Sequence, residues 1–314
     1  MLDSFIFSLN STVPVFLVIL AGMLFRKMGV VTPGFAAGAD KFVFKIALPV
    51  LLFLDIAEMD FRRDFDLGFV ILCFGISLVM FLLCWGIGLI TVKDKRSAGS
   101  FGQGAARGSA AILGVTLVTR IYGSPGLAPM MIFAAVPIFN IMSVVMLAMS
   151  GEATEGKIPY RGIAKSIVTN PIIIGVIAGI PFSVFKIPLP EVVDATLGSI
   201  ASTATPLALL AIGATFSFAA AKEKLRPAVI ASLVKLVLLP ALFLPVTVLC
   251  GFRDSALVAV FVMVGAPTTV ASYIMSKNMN GDPVLTSNII MLSTLASSVS
   301  MTLWVFCMRY LGLI

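Results

Sequence analysis

The chain has 314 residues, of which 59% are hydrophobic and only 12% are charged, and its mean hydropathy is +1.09. Soluble domains carry roughly 25% charged residues, so this composition excludes a water-soluble globular protein and indicates a polytopic membrane protein. The net charge of +7 is spread over polar connections between apolar segments and forms no basic face. It therefore reflects membrane topology, and we expect no binding to nucleic acid.

Ten apolar segments are long enough to cross a lipid bilayer as helices, which takes about 20 residues each. In chain order they are residues 11–29, 38–57, 67–92, 104–122, 127–149, 163–183, 193–217, 227–250, 255–276 and 284–310. Short polar connections separate them, such as FRRDFD at 61–66 and KDKR at 93–96, and none is long enough for a soluble domain. We therefore predict an all-α membrane protein with ten transmembrane helices.

The distribution of lysine and arginine predicts the orientation of these spans, because cytoplasmic connections are enriched in both residues. With the N-terminus outside, 15 of these residues lie at inward ends and connections and 6 at outward ones, with Lys235 inside the eighth span. We expect a multi-pass protein of the cell inner (plasma) membrane with both termini outside.

Two pairs of segments repeat at a constant separation. PVFLVILAG at 14–22 resembles PIIIGVIAG at 171–179, and LPVLLFLDIA at 48–57 resembles TPLALLAIGA at 205–214. The separation is 157 residues in both pairs (14 to 171, 49 to 206). Each half has five spans, and because this number is odd, the second half begins on the opposite side of the membrane. We therefore predict two inverted five-helix repeats, residues 1–155 and 156–314. Inverted repeats are typical of secondary transporters, which bind substrate at the repeat interface.

The ninth span contains a stretch that should interrupt its helix, VGAPTTVAS at 264–272. Proline lacks an N–H group and clashes with the preceding turn, and the freed backbone groups are tolerated only inside protein or beside a wet cavity. The corresponding stretch of the fourth span, GSAAILGVT at 108–116, is also rich in small and hydroxyl residues. We predict that helices four and nine are discontinuous and cross, so that the N-termini of their second halves favour an anion.

The order and spacing of five segments resemble the auxin efflux carrier family, whose bacterial members include carriers of malonate and other organic acids. The segments are PVFLVILAGMLFRKMGV at 14–30, DKFVFKIALPVLLF at 40–53, NPIIIGVIAG at 170–179, TPLALLAIGA at 205–214 and APTTVAS at 266–272. The resemblance covers nearly the whole chain. It implies ten helices in two inverted repeats, crossed broken helices four and nine, and often a homodimer. It also implies a scaffold of helices one, two, six and seven, against which the others move.

One departure from the family concerns the fourth helix. The family usually has an asparagine there and, seven residues later, a proline, where this chain has Ser109 and Thr116. The candidate substrate-binding residues are Ser109, Gly114, Thr116, Asn140, Lys235, Gly265, Pro267, Thr268, Thr269 and Ser272.

Several of these candidates have a structural alternative. Lys235 is a charge inside an apolar span, which costs at least ~2.5–3.5 kcal/mol at the bilayer centre, and it could neutralise an anionic substrate or extend to the interface. Asn140 could bind a carboxylate or join helices. Arg107 and Arg120 flank the fourth span, where we expect interfacial anchors. Pro49 and Pro206 occupy equivalent repeat positions and are candidate hinge or cavity residues.

These features predict a secondary carrier of small organic anions such as carboxylates, working by alternating access without a cofactor or a metal. A channel or a membrane-embedded sensor for a small ligand would share the topology and is the alternative. The chain has no histidine, which removes the Ser–His pair and zinc motifs of intramembrane proteases, and no phosphate loop of a primary pump. Asp55 and Glu58 fall near the end of the second span, so proton coupling, sodium coupling and uniport stay open, as do substrate and direction.

Reporter fusions test the predicted orientation. Green fluorescent protein fused after Ile314 should stay dark, because this reporter does not fluoresce once exported unfolded, whereas a fusion after Lys224 should fluoresce. Fluorescence from a correctly inserted Ile314 fusion would contradict the model of outside termini.

Overall fold

A computed structural model describes residues 2–58, 66–152, 165 and 167–314 of the chain. These residues form helices and no β-strand, apart from one isolated antiparallel bridge between Gly108 and Thr268. The predicted connection at 61–66, except Asp66, and the predicted repeat boundary at 155/156 lie outside the described residues.

The first half of the chain contributes helices α1 to α5. Their bounds are α1, Leu2–Lys27; α2, residues 33–57; α3, Leu67–Thr91; α4a, Lys95–Ala106, with α4b, Ala110–Tyr122; and α5, Ala128–Glu152. Helix α2 consists of Pro33–Phe42, a π-helical turn Val43–Ala47 and Leu48–Ala57. Helix α4 is interrupted between Ala106 and Ala110.

The second half contributes helices α6 to α10. Their bounds are α6, Pro171–Phe185; α7, Glu191–Thr215, in two parts that meet at Thr203; α8, Leu225–Leu249; α9a, Asp254–Gly265, with α9b, Ala271–Asn278; and α10, Pro283–Tyr310. Helix α8 contains a π-helical turn, Val234–Leu238, and follows a short helix, Phe218–Glu223.

Five of these helical segments are long and apolar enough to cross a membrane. They are Leu67–Thr91, Ala128–Ser150, Glu191–Thr215, Leu225–Leu249 and Pro283–Tyr310. Three shorter apolar helices accompany them, Leu113–Tyr122, Pro171–Phe185 and Asp254–Gly265. The prediction of an all-α membrane protein is therefore confirmed, whereas the number of ten spans and their inverted repeat stay predictions.

Side-chain caps and prolines explain where several helices begin. Asp66, Asp94 and Asn170 each accept a hydrogen bond from a backbone N–H group at a helix start. Proline takes the first position of α2, α6 and α10, where an intrahelical N–H partner is missing anyway. The cap at Asp94 starts α4 at Lys95, so the helix begins nine residues before the predicted span 104–122.

Helix α8 continues through Pro240 by means of a π turn. Because proline cannot donate to the carbonyl four residues earlier, the helix widens to a π turn in which Leu239 donates to Val234. The freed carbonyl of Leu236 accepts a hydrogen bond of 2.9 Å from the indole of Trp304 on α10. A similar π turn precedes Pro49 in α2, with Leu48 donating to Val43.

A polar cluster joins the starts of α4a, α8 and α10. Lys224 forms an ion pair of 2.8 Å with Asp282, which also accepts from Ser97 at 2.6 Å. Burial opposes ionisation of Asp282, but the hydrogen bonds from Lys224, Ser97 and Leu285 N–H hold the pKa of its carboxyl below the usual value. Asp282 thus caps α10 and holds three helices together.

Glycines allow very close contacts between α1 and α7 and between α2 and α6. A Cβ atom at Gly22 would lie 2.5 Å from the carbonyl oxygen of Leu210, and one at Gly179 would lie 2.7 Å from that of Phe53. Gly179 follows Gly22, and Leu210 follows Phe53, by the repeat separation of 157 residues (22 to 179, 53 to 210). The two contacts are therefore equivalent under the sequence repeat.

Alanine substitutions test these close contacts. Gly22→Ala and Gly179→Ala should each lower the midpoint temperature of thermal unfolding, by similar amounts, because each Cβ would meet backbone of the neighbouring helix. Gly75→Ala in α3 is the control, since nothing lies within 4 Å of its added Cβ. Alanine favours a helix over glycine by roughly 1 kcal/mol, so this control should leave the protein unchanged or slightly more stable. Equal losses in all three variants would contradict the contacts.

Candidate substrate-binding site

The interruptions of α4 and α9 lie side by side. Gly108 pairs with Thr268 in the antiparallel bridge, and the Ser109 N–H group donates to the Pro267 carbonyl at 3.0 Å. The break predicted at Pro267 is present, and it covers residues 266–270. In α4 the break covers residues 107–109, at the start of the predicted stretch 108–116.

Local sequence explains both breaks. A residue before proline is disfavoured in the helical region, and Ala266 accordingly adopts an extended conformation (φ −67°, ψ 151°) that ends α9a. Helix α4 has no proline at this place. There Arg107 is extended (φ −78°, ψ 114°), and a Cβ atom at Gly108 would lie 3.0 Å from the Ala266 carbonyl oxygen. Glycine at 108 therefore permits the two chains to touch.

Four predicted site residues support the crossing rather than line a cavity. Thr268 donates from its hydroxyl to the Gly104 carbonyl at 2.7 Å, and its N–H group donates to Ser293 at 3.1 Å. Pro267 supplies the carbonyl that binds Ser109. At Gly265 an added Cβ would lie 2.9 Å from Phe261 and Pro240, so its role is close packing. Ser272 is fully buried, and its carbonyl accepts from Gln103 at 2.9 Å.

Gln103 was missed by the sequence analysis. It is fully buried in α4a, and its amide donates to the Ser272 carbonyl and to Ser276 in α9b at 2.7 Å. A glutamine between glycines at the start of an apolar span, FGQG at 101–104, was the available signal. It joins the first half of α4 to the second half of α9.

Gly114 and Thr116 lie outside the break, unlike the predicted irregular segment 109–116, and their role in substrate binding stays a prediction. Both belong to the regular helix α4b. A Cβ atom at Gly114 would lie 2.7 Å from Met131 of α5, so this glycine serves helix packing, and Thr116 is exposed. The small residues of the stretch thus divide between the break itself and the contact with α5.

A cavity of about 770 Å³ opens beside the crossing, between α2, α4, α5, α7 and α9. Its polar lining residues are Asp55, Arg107, Ser109, Asn140, Thr205 and Thr269, and the rest of its wall is largely apolar. Three of the predicted site residues, Ser109, Asn140 and Thr269, therefore lie at one cavity. Pro49 and Pro206 do not line it; each follows an irregular turn of its own helix, in α2 and at Thr203 of α7.

Arg107 is the cation of this cavity, which corrects its interpretation as an interfacial anchor. Only 5% of its surface is exposed, because the break in α4 places it inside the helix assembly. It donates to Asn140 at 2.7 Å and lies 2.8 Å from the sulfur of Met275. Asn140 is itself fixed by donating to the Val136 carbonyl at 2.8 Å. Arg120, by contrast, is exposed in the last turn of α4b.

The cavity also meets the N-terminal ends of two half-helices. Residues 108–110 and 269–271 line it, and these are the starts of α4b and α9b. First-turn N–H groups have no intrahelical acceptor, and each helix start carries roughly +0.5 elementary charge. With the guanidinium of Arg107, whose fork of donors suits a carboxylate, the cavity favours an anion.

Lys235 lies at the opposite ends of the broken helices and does not line the cavity. It is fully buried, and its ammonium donates to the Ala106 carbonyl at 2.6 Å and approaches the Met263 carbonyl at 3.5 Å. Both carbonyls belong to the last turns of α4a and α9a, where helix dipoles favour a cation. Lys235 thus lies on the side where the crossing gathers carbonyl groups, and its predicted role as a counter-charge for the substrate stays a prediction.

Helix α2 contributes two carboxylates, Asp55 near its end and Asp40 in its first part. Asp55 is half-buried and lines the cavity. Asp40 is 3% exposed, and neither of its carboxylate oxygens has a hydrogen-bond partner among the described residues.

Fold and site together define a multi-pass membrane protein with a largely apolar cavity, lined by a few polar residues, at a helix crossing. Residues 7–305 match the family described as membrane transport protein, the auxin efflux carrier family, and the chain belongs to it. The resemblance drawn from the sequence is confirmed.

Two curated relatives cover nearly the whole chain. A protein of Rhizobium meliloti described as "Putative malonate transporter" is 27% identical over 306 residues, 94% of each chain. An uncharacterized transporter of Methanothermobacter thermautotrophicus is 21% identical over 301 residues, 96% of this chain and 98% of the relative.

Substitution of Lys235 tests its place at the helix ends. Lys235→Met should lower the free energy of unfolding by about 1–3 kcal/mol, the usual cost of leaving a buried carbonyl without its donor. Thermal unfolding of the purified protein measures this, with Lys45→Met as the control because Lys45 is exposed. Unchanged stability together with weakened anion binding would instead favour a substrate counter-charge.

Proposed function

We propose that the protein is a secondary carrier of small organic anions such as carboxylates, with its substrate site in the cavity beside the crossing of α4 and α9. One observation carries the proposal: a buried guanidinium, Arg107, shares a mostly apolar cavity with the starts of two half-helices. The positive groups converge on the same space, and low dielectric strengthens their attraction for an anion.

Each part of the cavity has a role in this proposal. Arg107 binds the carboxylate through its unused N–H donors, while Asn140 holds the guanidinium in place. The starts of α4b and α9b, at 108–110 and 269–271, and the hydroxyls of Ser109 and Thr269 complete the polar surface, while the Ser109 N–H group stays bound to the Pro267 carbonyl. The apolar residues of the cavity wall surround the short carbon chain of the substrate and exclude water from the bound charge.

The name of the Rhizobium relative supports carboxylates as the substrate class. Malonate carries the negative charge that Arg107 would bind. The family and its relatives are transporters, which favours a carrier over an enzyme. A channel or a sensor for a small ligand would share the topology, and it would lack saturable exchange of substrate across the membrane.

The proposal includes two inverted five-helix repeats, residues 1–155 and 156–314. It is supported by the equivalent glycine contacts, Gly22 with Leu210 and Gly179 with Phe53, and by two helices that break after 12-residue first halves. Helices α1, α2, α6 and α7 would form the scaffold, because the closest backbone contacts join them. Alternating access would then move the crossing against this scaffold, with Pro49 and Pro206 as candidate hinges. Location in the plasma membrane, outside termini and a homodimer stay predictions.

Substitution of Arg107 tests the proposed function. Arg107→Gln should weaken malonate binding to the purified protein by about 10- to 100-fold, since hydrogen bonds to a charged group contribute ~1.5–3 kcal/mol. Arg107→Lys keeps the charge but loses the fork of donors, so its loss should be smaller. Arg120→Gln on the same helix is the control and should bind as the unmodified protein does.

Proteoliposomes then separate carrier from channel. Vesicles preloaded with unlabelled malonate should accumulate labelled malonate transiently, because a carrier exchanges one bound anion for another. Simple equilibration without this counterflow would favour the channel, and absence of malonate binding would remove the proposed substrate class.

A further inference from the structure

We infer that Asp55 is the coupling group of this site and takes up a proton when the anion binds, so that the protein carries an anion together with a proton. The inference rests on the proposed function. It starts from the observation that a carboxylate and a guanidinium line the same cavity from different helices, Asp55 from α2 and Arg107 from α4.

The two charges do not neutralise each other directly. Within the residues that the structure describes, the one ion pair found joins Lys224 and Asp282. Arg107 is instead occupied by Asn140 and Met275, and Asp55 has no hydrogen-bond partner in the described part of the chain. Both charged groups therefore line one cavity without pairing with each other.

An anion in this space has one cation and one anion as neighbours. Binding a carboxylate at Arg107 while Asp55 is ionised places two negative charges in a poorly solvated cavity, where repulsion is strong. A proton on Asp55 removes this repulsion and converts the carboxylate from acceptor to donor, so that its O–H group can hydrogen-bond the substrate. The proton comes from bulk water, resides on an Asp55 oxygen during transport and leaves on the other side; no other bond forms or breaks.

Apart from Arg107, the residues that line this cavity include no cation. Glu58, after the last turn of α2, is the neighbouring charge and has the same sign as Asp55. Helix α6 packs on this half of α2; its span Pro171–Phe185 has no ionisable side chain, and Lys186 directly after it lines a different cavity together with Ile56. Helix α7 also packs there and contributes Glu191 and Asp194 in its first turn, both acidic. Lys45, in the π turn of α2, is exposed. Protonation of Asp55 is thus the available way to balance the bound anion.

The location of Asp55 also suits coupling. Helix α2 belongs to the proposed scaffold, whereas Arg107 belongs to the crossing that moves against it. A substrate that bridges the two helices requires Asp55 to be protonated and Arg107 to be charged at the same time. Proton and anion would therefore promote each other's binding, and by linkage each raises the affinity of the other by the same factor.

Binding experiments on the purified full-length protein test this assignment in sodium-free buffer. The probes are malonate and monomethyl malonate, whose single carboxylate stays ionised between about pH 6 and about pH 8. The unmodified protein should bind monomethyl malonate more tightly as the pH falls, by up to about tenfold per pH unit for one linked proton. Calorimetry in two buffers of different ionisation enthalpy should report about one proton taken up per anion.

Substitutions of Asp55 then locate the proton. Asp55→Asn imitates the protonated carboxyl, so it should bind monomethyl malonate at all these pH values about as tightly as the unmodified protein does at low pH, with no proton uptake. Asp55→Glu keeps a titratable group and should restore the pH dependence. Glu58→Gln and Asp40→Asn are matched controls on the same helix and should keep it.

Four results would overturn the inference. Asp55→Asn could keep the pH dependence of the unmodified protein, or Asp40→Asn could abolish it in place of Asp55→Asn. The unmodified protein could bind anions independently of pH, or bind them only with sodium. In each of these cases the proposed anion site survives, whereas failure of both probes to bind at any pH would remove the proposed function as well.

Discussion

The constraint on which this structure depends is the cost of ending two helices inside a membrane. Each break exposes backbone N–H donors on one side and backbone carbonyl acceptors on the other. The hydrocarbon of the bilayer cannot form hydrogen bonds with either group. The crossing places the two positive ends together at the cavity and the two negative ends together at Lys235. Like ends repel, so each side needs an opposite charge. Lys235 is a permanent partner for the carbonyl ends. On the amide side lie Arg107 and a cavity, and in the proposed function a bound anion is the missing partner.

Other features stabilise this arrangement. Thr268 and Ser109 bind backbone groups that the breaks release, and Gln103 fastens the first half of α4 to the second half of α9. The π turn of α8 holds Lys235, and Trp304 binds a carbonyl that Pro240 leaves without its usual donor. The glycine contacts join α1 with α7 and α2 with α6. In the proposed mechanism these four helices are the scaffold against which the crossing moves.

The sequence predicted the parts of the structure that depend on local chemistry. Apolar length located the helices, and Pro267 located the break in α9, because proline acts on its own turn. Predictions that depended on which residues meet across helices were less secure. Gly114 and Thr116 looked like a broken helix but pack in a regular one, and the break lies at Gly108, where another backbone comes close. Lys235, predicted as a counter-charge for the substrate, lies at helix carbonyl ends, and Arg107, predicted as an interfacial anchor, lines the cavity. A charge in an apolar span indicates a buried partner, but only the fold decides whether that partner is a carbonyl end or an anion.

The central claim is that a carboxylate completes the positive side of the crossing. A structure of the protein with bound malonate, determined by electron cryo-microscopy or crystallography, tests this most directly. The account predicts a carboxylate within hydrogen-bond distance of the Arg107 guanidinium and of backbone N–H groups at the start of α4b or α9b. A malonate bound next to Lys235 or far from the crossing, with the cavity beside Arg107 filled by water alone, would contradict it.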